Sequence, residues 1–201
     1  MSEERSVLAV ASLREFFKER LEWVMRRQQL RLAQNTEFYL VNLLSEFVEV
    51  DKLFAEDGER GKEAEPLALL YARAQQQERE ACIRTLRRLG DVSLYQTGFF
   101  AQSVRESPVG EEYYVQMGEA AYGQIAAMTP ASGFGHVYWE LGQKFRNVSA
   151  VLEEISAAGM AASGPNGALH VYEAWARTGN EGLARVLVDV GLIDPKRGLP
   201  N

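Results

Sequence analysis

The chain has 201 residues, 46% hydrophobic and 25% charged, with 1 cysteine, 6 prolines and a net charge of −6 at pH 7. This makeup excludes a disordered, collagen-like or disulfide-stapled chain and describes one ordinary globular domain, which at this length buries roughly 70% of its unfolded surface without metals or crosslinks. The negative balance opposes nonspecific attraction to nucleic acid or to an acidic membrane surface, so neither is an expected partner.

The apolar periodicity is helical almost throughout, and no alternating run is long enough for a strand, so the expected fold class is all-α. Ser12-Leu-Arg-Glu15 has the spacing of a capping box and predicts a helix start at Ser12. Leu13, Phe16, Phe17, Leu21 and Val24 then form its buried stripe. From Phe38 to Phe54 apolar residues cover most of the circumference, which predicts a helix at the centre of a bundle. Asn35 and Thr36 either cap that helix or bend one long one. After the charged, glycine-punctuated stretch 55–65, Pro66 opens a helix expected to run to Leu89.

Gly90-Asp91 reads as a stop followed by a start, and Ser107-Pro108 repeats that logic before a helix carrying Tyr114, Met117, Ala121 and Ile125. Val137, Leu141, Phe145, Val148, Leu152 and Ile155 step by three and four and predict one continuous amphipathic helix. The small residues 156–167 predict a linker. Two short helices, about Ala168 to Arg177 and Glu181 to Val190, then flank Thr178-Gly179-Asn180. The expected whole is a single-domain bundle of about six to eight helices, its main body near residues 12–158 and a C-terminal helical hairpin near 167–191 docked on it.

Motifs that carry chemistry are scarce, and this points away from an enzyme. The sequence shows no Gly-x-Ser-x-Gly, P-loop or dinucleotide fingerprint, so no catalytic residue is assigned. Cys82, between Ala81 and Ile83 in a helical pattern, is expected to be a buried inert thiol. The two histidines stand in His136-Val-Tyr-Trp-Glu140 and His170-Val-Tyr-Glu173, the reverse of the Glu-x-x-His order of a bundle di-metal site. A haem would have only one imidazole behind it. No metal and no cofactor are expected. No apolar run reaches the ~18 residues of a membrane span, and the start, Met1 to Arg5, is polar, so the expected location is the cytoplasm.

Residues 95–122 concentrate rings beside glycines. Large rings next to missing side chains either shape an apolar pocket with hydroxyl handles or simply pack a core. The candidate ligand-binding residues are Tyr95, Phe99, Tyr113, Tyr114 and Tyr122, with His136. The run Leu89-Gly90-Asp91, Gly98-Phe99-Phe100 and Tyr113-Tyr114-x-x-Met117-Gly118-x-x-Ala121-Tyr122 resembles a signature in a family of all-helical bacterial proteins. The resemblance implies an all-helical fold, and neither an activity nor a functional residue is carried over from it.

Two functions therefore compete. The first is a non-enzymatic interaction module that binds a protein partner, or itself, through an apolar helix face. The alternative is a bundle that binds a small apolar ligand in the 95–122 region. A solvent-facing apolar stripe favours the first, and an enclosed cavity lined by the tyrosines favours the second.

Overall fold

A computed structural model of the chain describes residues 2–57, 66–130 and 133–194, with side chains for 12–47, 66–130 and 133–194. The described residues form ten α-helices and no strand. In order they are α1 (Ser2–Arg27), α2 (Gln34–Asp57), α3 (Leu67–Ala74), α4 (Arg79–Phe99), α5 (Ala101–Glu106), α6 (Gly110–Met128), α7 (Gly133–Gln143), α8 (Phe145–Ala162), α9 (Pro165–Thr178) and α10 (Glu181–Asp189). None of the helices among the described residues is long and apolar enough to cross a membrane.

The count exceeds the expected six to eight because two apolar stripes run across helix breaks. Val137, Leu141, Phe145, Val148, Leu152 and Ile155 are all buried, as their spacing demands. Lys144 (φ −111°, ψ 20°) nevertheless divides them between α7 and α8. The helix expected from Pro66 to Leu89 is likewise cut, between Ala74 and Arg79.

Other boundaries move the opposite way. Nothing in Ser2–Ala11 breaks a helix, so α1 runs through the exposed Ser12 instead of starting there. It ends at Gln29, whose φ of 55° is left-handed, with the Leu30 amide donating to the Met25 carbonyl and the Gln29 amide to the Arg26 carbonyl. That pair of bonds is a Schellman stop. Gly90-Asp91 does not interrupt α4. A Cβ at Gly90 would stand 2.6 Å from Cε1 of Tyr122, so this glycine is a seat for the α6 ring and not a helix end. Most of the expected linker 156–167 is helical, since α8 continues to Ala162.

The axle of the bundle is α4, which packs against α2, α3, α5, α6 and α8. It buries Leu86, Leu89, Leu94 and Tyr95 along with Cys82. Gly118 lets the Phe145 ring lie against the backbone of α6, holding that helix close to the centre. The helix expected to be central, α2, instead sits to one side, mainly against α1 and α7. It buries Tyr39, Leu40, Val41, Leu43 and Leu44, while Phe38 is exposed. Of the residues on which that expectation rested, Val48, Val50, Leu53 and Phe54 lie outside the described side chains.

Two cores result. The main one joins α1 to α8. A smaller one, made of Ala157, Ala161, Val171, Leu183, Val186 and Leu187, joins the second half of α8 to α9 and α10. The α9–α10 turn is built as its residues dictate: Gly179 takes φ 65°, and the Asn180 side chain caps α10 by accepting from the Gly182 and Leu183 amides. Where α1, α8 and α10 meet, the fully buried Glu154 accepts from Gln28 Nε2 at 2.9 Å and Arg185 at 2.8 Å, with Arg27 Nε 3.6 Å away.

Candidate interaction groove

The six candidate ligand residues do not line one common pocket: Tyr95 pairs with Phe99 and Tyr113 with Tyr114, while Tyr122 and His136 pack against other rings. Tyr95, from α4, is buried and stacked between Phe47 of α2 (ring centroids 4.3 Å) and Phe99 (5.0 Å). Tyr122, from α6, is fully buried with its ring 5.9 Å from that of Tyr138 on α7. Tyr113 and Tyr114 touch edge to face at 5.5 Å, and the Tyr113 hydroxyl accepts from the Ala68 amide at 2.8 Å. His136 is exposed beside Trp139, at 5.7 Å. The rings of Tyr95 and Tyr122 thus fill the core.

Tyr122 also joins a buried polar node that spacing alone did not reveal. Asp91 Oδ1 accepts from the hydroxyls of Tyr39 (2.5 Å) and Tyr122 (2.8 Å), while Arg87 stands 3.5 Å from Oδ2. Burial, reinforced by the neighbouring Asp91 charge, pushes both phenols far above their ordinary range. Both hydroxyls keep their protons and donate them to Asp91. The node ties α2, α4 and α6 together through one oxygen. Among the described residues, no three His, Cys, Asp or Glu side chains stand close enough to share a metal ion.

Two open depressions among the described residues are walled by exposed large hydrophobic side chains. One, about 300 Å³, lies between α5 and α9 and includes Phe99, Phe100, Met160 and His170. Its charged groups are already partnered. Arg105 bonds Glu111 at 2.8 Å and Glu153 at 2.8 and 3.0 Å, and Glu106 is paired with Arg177 at 2.7 Å.

The other, about 570 Å³, runs between α1 and α2. Its floor is Leu21 and Val41, both buried, and its wall is Phe38, 68% exposed and the most exposed of the large hydrophobics described. Gln34 and the five charged residues Arg14, Glu15, Lys18, Glu22 and Glu37 complete the lining. None of these five takes part in an ion pair among the described residues. Partial burial raises the Glu37 carboxyl above its usual range, the charges of Glu22 and Glu140 raise it further, and Lys18 opposes them. Glu140 itself is held ionised despite burial by Lys144 at 2.8 Å and the Ala33 amide at 2.9 Å.

The sequence did contain the signal for this wall. The residues three and four positions from Phe38 on its exposed side are Asn35, Gln34 and Asn42, so the ring sits within a polar stripe of an otherwise apolar helix. Phe16 and Trp23 follow the same rule on α1. Phe16, expected in the buried stripe, is 45% exposed with Arg20 over its ring at 5.4 Å, and Trp23 carries Arg27 at 4.2 Å. Compared with known families, curated proteins and solved structures, the chain matches none.

Proposed function

We propose that this protein is a non-enzymatic helical interaction module that takes a protein partner through the groove between α1 and α2. The observation that carries the reading is Phe38. A helix that is apolar around most of its circumference belongs in a core, yet α2 lies at the side of the bundle and keeps an aromatic ring in water beside an apolar floor. Exposed rings next to a concave apolar surface are the side chains that anchor interfaces.

A photo-reactive residue at Gln34, on the groove but outside the core, tests this in the source cell. The expected result is a protein adduct, with a second copy or with another chain, that disappears when Phe38→Glu is added while the melting temperature stays unchanged. An adduct indifferent to Phe38→Glu, or none, rejects the reading. The apolar walls of the α5–α9 cleft, Phe99, Phe100 and Met160, favour a second reading, a small apolar ligand there. Met160→Trp would then fill the site and displace it.

A further inference from the structure

We propose that the cleft between α5 and α9 binds a neutral aromatic molecule carrying a hydroxyl, and that the bound molecule clamps the α9–α10 hairpin to the main body. This rests on the second reading above, a small apolar ligand in that cleft. It adds the chemical class of the ligand and what its binding does to the fold.

The walls come from two cores. Phe99 packs on the main core, whereas Ala157, Val171 and Leu183 belong to the smaller one. The hairpin joins the rest of the molecule mainly along α8, through the small side chains of that smaller core. Across the gap from α5 to α9 runs the ion pair of Glu106 with Arg177, at 2.7 Å, and both side chains are more than half exposed. A pair this exposed holds the hairpin weakly. The space of about 300 Å³ beside it lies at the lower end of the range for small-molecule sites, and a molecule seated there touches both cores at once. Such a molecule binds the closed hairpin and not an opened one, so it favours the closed form by a factor of 1 + [L]/Kd.

The charges select a neutral ligand. Arg105 is shared between Glu111 and Glu153, Glu153 also accepts from Asn180 at 3.0 Å, and Glu106 is taken by Arg177. An ion entering the cleft finds each carboxylate and guanidinium already paired and gives up hydration for no new partner. The rings of Phe99 and Phe100 and the thioether of Met160 select an aromatic body, through ring contacts and sulfur contacts. The exposed His170 imidazole lines the same cleft and has no partner among the described residues. In its neutral form it offers one donor and one acceptor, which matches a hydroxyl.

Calorimetric titration of the purified full-length protein with 2-naphthol tests the class, with 2-naphthoate and 2-naphthylmethylammonium as charged molecules of the same body. The expected result is one site for 2-naphthol, with both charged analogues about tenfold or more weaker. Binding should vanish with Met160→Trp, which fills the cleft, and weaken about threefold or more with His170→Phe. Limited proteolysis tests the clamp: cleavage at Ser163-Gly164 should slow about tenfold with 2-naphthol at ten times its Kd. Equal or tighter binding of a charged analogue overturns the class, indifference to His170→Phe overturns the hydroxyl, and unchanged cleavage overturns the clamp. A charged analogue that binds best and loses its site with Met160→Trp keeps the second reading and rejects this inference. No binding tighter than about 1 mM by any of the three, or binding that survives Met160→Trp, rejects both.

Discussion

Gln29 ends α1 in the left-handed region, where an L side chain costs about 1–2 kcal/mol and glycine far less. Gln29→Gly is expected to raise stability by about 0.5–1 kcal/mol after its own unfolded-state entropy is subtracted, and urea melting checks this. Asp91 is a second case. Burial raises its carboxyl above the ordinary 3.8, overcoming the hydrogen bonds of Tyr39 and Tyr122 and the charge of Arg87. A carboxyl that holds its proton more tightly folded than unfolded adds stability below its unfolded pKa and loses that contribution as pH rises through the folded value. Because both tyrosines bond the same oxygen, Asp91→Asn keeps an acceptor for them. The stability of the wild type relative to Asp91→Asn should therefore decline as pH rises above about 4. Paired urea melts from acid to neutral pH measure this, and a wild-type advantage that grows with pH contradicts it.

At the scale of helices, burial direction matters more than composition. Leu44 is fully buried on α2 and Phe38 mostly exposed on the same helix. Leu44→Ala should lose about 3 kcal/mol and Phe38→Ala less than about 0.5 kcal/mol, the reverse of what ring size suggests. Equal losses in chemical denaturation would show that α2 is buried on both sides. In α8 the small residues that read as a linker are helix interior, and a Cβ at the exposed Gly159 would meet nothing within 4 Å. Gly159→Ala should stabilise the protein by about 0.5–1 kcal/mol, seen as a higher melting temperature. Glycine and serine lowered the apparent helicity of this stretch. The packing of Ala157 and Ala161 under α9 and α10, which no local propensity reports, overrides that.

For the whole molecule, the two cores meet along α8, and Glu154 is the polar fastening at that seam. Its side chain is wholly buried, whereas Arg27 and Arg185 keep 22% and 32% of theirs exposed. Removing the carboxylate takes the hydrogen-bond acceptor from Arg185 and Gln28 and one of two anionic neighbours from Arg27, which keeps Asp189 at 2.6 Å. The loss for Glu154→Ala should be about 2–3 kcal/mol, below the 3–5 typical of a wholly buried pair because both arginines still reach water. The same variant should expose the α8–α9 junction at Ser163-Gly164 to protease before the main core unfolds. Simultaneous loss of both cores would show that α9 and α10 have no independent opening.

The sequence by itself determined the fold class, most helices and the whole Val137–Ile155 stripe, because three- and four-residue spacing is a local property that survives wherever the helix ends up. Val137 to Ile155 is buried at all six positions even though the chain breaks at Lys144. Gly179-Asn180 was likewise legible, since a left-handed glycine and a capping asparagine act within one turn. Only the tertiary structure decided that α4 is the axle and α2 is not, that Tyr95 and Tyr122 fill the interior, and that Phe38 walls a groove. Those outcomes depend on which helix occupies the centre. That is settled by long-range packing, such as the fit of Tyr122 over Gly90, and spacing along one segment carries no information about a partner thirty residues away.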